Sequence, residues 1–231
     1  MRLRPHRPPC APQRAARALT LLEVMIVIAI VGVLIALVAP SMREMIGMQR
    51  LRATAAQLVT DVQFGRSEAV SRNQYVGFSL RNIAAEAMTC YVLFTSDVNP
   101  LQVAGLDASK CNCTATPGSA CVGTQREVRT VQVARDLGLE LRKPAPQQST
   151  AAFNPVSGGI MPAAPVGAGG APVAPGDFCL EVTRRPRGRL RVTISAAGRP
   201  TTCSPDLSVP GYDACPPVNL ALNTCAAIPA P

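Results

Sequence analysis

The sequence predicts an α+β fold, a long N-terminal helix packed on an antiparallel β-sheet, and three patterns lead there. Residues 19–39 are apolar except for Thr20 and Glu23. Beyond Pro40 apolar residues return at three- and four-residue spacings, Leu51, Ala55, Leu58, Val62, Gly65 and Ala69, with Arg50, Gln57, Asp61 and Glu68 elsewhere on the wheel. Short runs of strand-forming residues separated by turn signals follow. One long helix and then several short strands argue for a helix against an antiparallel sheet.

Residues 1–18 form a basic leader. Arg2, Arg4, Arg7, Arg14 and Arg17 stand there without a single acid, so more than half of the net charge of +9 is N-terminal and the remainder is only mildly basic. Residues 19–39 supply the ~20 apolar residues a membrane-spanning helix needs. Arginines before the run and a mostly neutral region after it place the leader in the cytoplasm and the rest outside.

Three readings of this segment compete. A cleaved secretory signal with its apolar region at 24–38 is disfavoured, because Leu37-Val38-Ala39 followed by Pro40 makes a poor cleavage site. A plain signal anchor treats Glu23 as an interfacial acid. The third reading makes Glu23 functional, since an ionisable group within a membrane usually has a partner.

Residues 40–73 continue the helix as an amphipathic segment that ends near Ser71, with Pro40 expected to kink or locally melt it and Gly47 a second soft point. Strand-like runs fall at 75–80, 89–94, 128–133, 137–141, 178–182 and 189–194, and define a β-rich domain over 74–203. Aromatic residues are 3% of the chain and Trp is absent, so Val, Leu, Ile and Ala must build the core. Residues 154–176, rich in Pro, Gly and Ala, read as a flexible insertion. The segment 204–231, rich in Pro, reads as a tail unable to pack by itself.

Eight cysteines lie beyond the leader: Cys90, Cys111, Cys113, Cys121, Cys179, Cys203, Cys215 and Cys225. An even set beyond a membrane segment reads as a disulfide framework in an oxidising compartment. Metal binding is the competing reading; the sole histidine is His6, no CxxC pair exists, and no metal or cofactor is expected. Cys111 and Cys113 are too close to pair comfortably, so at least one should reach Cys121 or Cys90. A bridge involving Cys203 would staple the tail.

Leu19-Thr20-Leu21-Leu22-Glu23-Val24, the apolar run and Pro40 together resemble the N-terminus of type IV pilins and type II secretion pseudopilins. Farther on, Gly65-Arg66-Ser67-Glu68-Ala69-Val70-Ser71-Arg72-Asn73 is similar to the helix end of the GspH/FimT branch of that family. The resemblance covers residues 18 to about 80. It implies a pilin-like fold, cleavage by a prepilin peptidase between Ala18 and Leu19, methylation of the new amine, and assembly through Thr20, Glu23 and Pro40. The family favours Gly before the cut and Phe after it, where this chain has Ala18 and Leu19.

The implied function is that of a minor pilin or pseudopilin, a structural subunit that assembles into or initiates a type IV pilus or a type II secretion pseudopilus. The implied partners are the prepilin peptidase, other major and minor pilins or pseudopilins, the inner-membrane assembly platform and the lipid bilayer. The implied location is a single pass through the inner membrane with a periplasmic C-terminal domain, and then the filament. A carboxylate in hydrocarbon costs at least about 2–3 kcal/mol on insertion scales. Cleavage creates a positive amine at Leu19 that Glu23, of the same subunit or a neighbour, can meet.

Arg184-Arg185-Pro186-Arg187-Gly188-Arg189-Leu190-Arg191 concentrates positive charge that could contact phosphates. Some FimT-like pilins take up DNA through a Gly-Arg-x-Arg motif. Gly188-Arg189-Leu190-Arg191 has those letters, whereas Gly198-Arg199-Pro200-Thr201 lies where the motif is expected along the fold. Arg189, Arg191 and Arg199 are therefore candidate DNA contacts, set against the alternative of a hairpin rimmed by solvated arginines. No aromatic residue stands nearby to stack on bases. Catalysis has little support: no histidine lies outside the leader and no Gly-rich phosphate loop follows a strand. A signal-anchored periplasmic domain that never polymerises is the remaining alternative.

Overall fold

The computed structural model describes residues 20–82, 87–96, 110–143, 150–162 and 177–216. The chain divides into two compact units, Met1–Glu44 and Met45–Pro231. Helix α1, Leu21–Arg72, contributes to both. In the first unit its apolar residues are exposed throughout, from Leu21 to Leu37 and Val38, and the helix is long and apolar enough to cross a membrane by length and composition. Pro40 is itself helical, so the local melting expected there does not occur. A proline removes one donor from the ladder, and the bonded turns on either side are enough to carry the helix through.

In the second unit α1 buries Leu51, Ala55, Leu58, Val62 and Ala69, the stripe that the spacing predicts. At Gly65 a β-carbon would sit 2.6 Å from Leu93 Cδ2, so a larger residue would have to push the Leu93 side chain aside for the helix to stay this close to the sheet. The helix ends in a Schellman cap. Asn73 takes the left-handed conformation (φ 50). Its N–H donates to Val70 O and that of Gln74 to Ala69 O, which satisfies two carbonyls of the last turn.

The expectation of one sheet is corrected to two. β1 (Tyr75–Asn82), β2 (Met88–Ser96), β3 (Arg126–Ala134), β5 (Thr150–Phe153) and β6 (Ile160–Pro162) form a five-stranded sheet in the order β3-β2-β1-β5-β6. β4 (Leu139–Arg142), β7 (Phe178–Arg184), β8 (Arg189–Ile194) and β9 (Pro200–Cys203) form a four-stranded sheet in the order β4-β7-β8-β9. Every neighbouring pair is antiparallel. A 3-10 turn at Arg135–Leu137, closed by Gly138 in the left-handed region (φ 72), ends β3 and redirects β4 to pair with β7. Both sheets feed one core, where Phe78 of the first stacks on Tyr91 and meets Phe178 of the second edge-on.

One further reading changes. The insertion assigned to 154–176 begins too early, because Asn154 caps a tight turn through its Oδ1 to Val156 N (2.7 Å) and β6 follows. Residues 163–176 lie outside the described residues. The described part of the tail, read as unable to pack by itself, packs where it is stapled: Val209 is buried, Ser204 bridges Ala214, and Arg52 Nη2 donates to Pro210 O at 2.8 Å. The Cys203–Cys215 disulfide holds this segment to β9.

Cys90 pairs with Cys113 and Cys111 with Cys121, so each member of the close pair finds its own distant partner. Cys179 is also disulfide-bonded, and Cys225 lies outside the described residues. Glu127 on β3 closes the 111–121 loop by accepting the N–H groups of Gly118 (2.9 Å) and Ala120 (2.8 Å). Burial pushes the Glu127 carboxyl up, but the Gly118 N–H, the Thr130 hydroxyl and the Ala120 N–H together pull it below its ordinary value. A carboxyl depressed by folding contributes stability above its unfolded pKa and loses it as pH falls through the folded pKa. The amide resonances of Gly118 and Ala120 should therefore titrate below about pH 4.5 and stop titrating in Glu127→Gln.

Candidate functional site

In the first unit, Thr20 is the N-cap of α1. Its Oγ1 accepts the Glu23 N–H at 3.3 Å, and its carbonyl accepts the Val24 N–H. Thr20-Leu21-Leu22-Glu23 thus has the spacing of a capping box, with the acid at the third helical position. A carboxylate in the first turn is also favoured by the partial positive charge of the helix N-terminus. Glu23 is exposed beside the bare apolar face. Ala18 and Leu19 lie outside the described residues.

In the second unit, Asp61 departs from its expected place on the polar side of the wheel. It is fully buried, accepts the Tyr91 hydroxyl at 2.6 Å, and pairs with Arg129 Nε at 3.1 Å. Burial pushes the Asp61 carboxyl up, and the Tyr91 and Arg129 contacts pull it only part of the way back. Burial and the neighbouring carboxylate push the Tyr91 phenol far above its ordinary range, so it stays protonated and donates. This contact ties α1 to β2 and β3 through a polar link inside the core. The sequence signal was present only as an acid flanked by the apolar positions Leu58 and Val62.

Strand alternation sets Arg189 and Arg191 of the arginine hairpin on one face of β8. Phe178, Leu180 and Val182 of β7 join the core with Leu190, Val192 and Ile194 of β8. Glu181 belongs to the opposite face, directly across from Arg191. Arg191 donates from Nε (2.9 Å) and Nη2 (2.7 Å) to Glu181 Oε1, and Arg189 Nη2 donates to Glu181 Oε2 at 2.8 Å. Arg191 is 5% exposed and Glu181 is 0% exposed. The DNA-contacting role expected of Arg189 and Arg191 is therefore corrected: both guanidinium groups serve a buried ion network. Of the three candidates only Arg199 stands exposed, in the turn between β8 and β9.

Among the described residues no group of three or more His, Cys, Asp or Glu is arranged to hold a metal ion. The described cysteines are taken by disulfides.

The family model described as type II transport protein GspH matches residues 54–198, more than half of the chain. The chain belongs to the GspH family. Its match begins within the amphipathic half of α1 and takes in β1 to β8. A prokaryotic N-terminal methylation motif matches residues 13–39 of this GspH chain, which take in the apolar run. These two matches make it a minor pilin or pseudopilin. Among solved structures it is similar to the type IV minor pilin FimU of Pseudomonas aeruginosa, at 17% identity over 71% of this chain and 95% of that one, with a TM-score of 0.43. It is also similar to the minor pseudopilin EpsH from the type 2 secretion system of Vibrio cholerae, at 18% identity over 67% and 96%, with a TM-score of 0.35. No curated protein matches the chain.

Proposed function

We propose that this GspH-family subunit enters the inner membrane with its leader in the cytoplasm and residues 74–231 in the periplasm. A prepilin peptidase then cuts between Ala18 and Leu19, and the new amine is methylated. The processed subunit joins other pilins or pseudopilins at or near a filament tip, delivered through the inner-membrane assembly platform. Its work is mechanical: the apolar face of α1 bundles with neighbours, and Glu23 pairs with a Leu19 amine to set register. The second unit presents surfaces to partner subunits.

The observation that carries this reading is one of order along the chain. The methylation motif at 13–39 leads directly into a GspH domain at 54–198, and the apolar residues at the motif's end have no cover within their own unit. A domain merely anchored to the membrane needs neither the motif nor the capping-box acid. Mass spectrometry of chain recovered from membranes and filaments tests it. The expected N-terminal peptide begins with a methylated Leu19. An intact leader on all recovered protein would replace this reading with the signal-anchored, non-polymerising domain.

A further inference from the structure

We propose that the cleft between the β7–β8 turn and the 204–208 loop docks a short acidic and apolar segment of a partner protein, a contact that rests on the reading of the second unit as the part that meets partner subunits. A cavity of about 370 Å³ opens at this turn, and its lining sets five arginines against two acids, Glu140 and Asp206. Part of this charge is already matched. Glu140 takes Arg142, and Glu181 takes Arg189. Arg185 and Arg187 are exposed on either side of Pro186, and neither side chain has a hydrogen-bond or ion-pair partner among the described residues. They offer two guanidinium forks, a shape that grips carboxylates through paired hydrogen bonds.

An apolar group stands beside this charge. Leu207 lies between Asp206 and Ser208, both of which line the cavity, and it is 64% exposed. Its backbone is left-handed (φ 53), a conformation that is costly for leucine and persists only where the surroundings enforce it. The bonds that enforce it also tie the loop to the arginine turn. The Ser208 N–H donates to Asp206 Oδ1 at 3.1 Å, the Arg189 N–H donates to Ser208 Oγ at 3.1 Å, and the Ser204 hydroxyl donates to Arg189 O at 3.2 Å. The Cys203–Cys215 disulfide and the buried Val209 hold the loop on either side. Leu207 and the two arginines are thus presented together on a braced surface, and the leucine adds little to the fold that holds it.

The pairing of surplus positive charge with an apolar tip selects the occupant. A carboxylate-bearing peptide meets the arginine forks and covers Leu207 with an apolar side chain of its own. A nucleic acid fits less well: its phosphates have no use for Leu207, and the cavity lining offers no aromatic residue on which bases could stack. A site braced before the partner arrives also avoids the ordering cost that a mobile loop would carry.

The test uses the full chain in an uncharged detergent and a panel of labelled hexapeptides composed of Asp, Glu, Leu and Phe, with binding read by fluorescence anisotropy. The best acidic peptide should bind about tenfold or more tightly than its counterpart with Asn and Gln in place of Asp and Glu. Arg185→Gln with Arg187→Gln should weaken that peptide about tenfold at low salt and much less at high salt, because exposed charges are screened. Leu207→Asn should weaken it about tenfold at both, because apolar burial is not screened. Asparagine tolerates the left-handed backbone, so this variant should melt no lower than the parent. Arg199→Gln, which removes an exposed arginine from another turn, should change nothing. The proposal is overturned if acidic peptides bind no better than their amide counterparts, or if Arg199→Gln causes an equal loss. A single-stranded oligonucleotide that binds more tightly than every peptide overturns it too. The N-terminus of the same preparation keeps the two readings apart. A methylated Leu19 without a preference for acidic peptides overturns the docking site alone, and an intact leader overturns the subunit reading beneath it.

Discussion

Glu181→Ala is expected to destabilise the second unit by about 3–5 kcal/mol, because it strands Arg191 as an uncompensated charge in a buried site. For a unit of this size that lowers Tm by roughly 10 °C, readable as thermal unfolding of the full chain in detergent. The magnitude comes from burial and not from the number of ion pairs. Glu68 and Arg72 also form an ion pair on α1, but Arg72 is exposed. Breaking that pair with Glu68→Ala should cost no more than about 0.5 kcal/mol. A third variant separates the pair from the penalty of a lone charge. Replacing Glu181, Arg189 and Arg191 together by apolar residues of similar volume should recover most of the loss, as buried ion networks often allow. If Glu181→Ala melts within about 2 °C of the parent, water reaches Arg191 and the site is not sealed in the way its 5% exposure implies.

The same network marks the limit of what the sequence could convey. The apolar stripe of α1 was legible because its period is local: Leu51, Ala55, Leu58 and Val62 identify their own buried face wherever the sheet lies. β1 was legible by its alternation and β2 as a continuous apolar run, each read one to three residues short, while β8 was placed at its full extent. β5 was missed because Thr150-Ala151-Ala152-Phe153 is buried on both faces, which leaves no alternation to read. β6 and β9 were missed because three or four residues beginning or ending with proline resemble a loop until a partner strand is in place.

The division into two sheets depends on Gly138 and on the pairing of β4 with β7, a contact between residues about 40 apart in sequence. Charge was harder still. Arg189 and Arg191 match a DNA-contact motif letter by letter, and only the register that sets Glu181 opposite Arg191 gives them a buried carboxylate to meet. Asp61 sits at the border of the helix stripe. The nearness of Tyr91 and Arg129, which makes it a core residue, is a fact of tertiary structure alone.

Glu23→Gln should leave membrane insertion unchanged or slightly improved while lowering incorporation into filaments about 100-fold or more. Glutamine is the informative replacement because it keeps the capping-box geometry with Thr20, a box that accepts Glu or Gln alike. The helix start therefore survives and only the charge is lost. Removing a carboxylate lifts an insertion penalty of about 2–3 kcal/mol, so any role confined to entering the membrane predicts no defect. If Glu23 meets the Leu19 amine of a neighbouring subunit inside an apolar bundle, its loss leaves that amine buried alone. Stranding one member of such a pair costs about 3–5 kcal/mol, which exceeds the insertion gain and corresponds to at least about a hundredfold in an assembly equilibrium. The measurement is the ratio of processed chain in sheared filaments to processed chain in membranes, counting only protein that begins at Leu19 so that a cleavage defect cannot imitate an assembly defect. Glu23→Asp, which keeps the charge on a shorter arm, should fall between parent and Gln. Equal incorporation of parent and Glu23→Gln would reduce the acid to a helix cap, and register would then have to come from the apolar face of α1 alone.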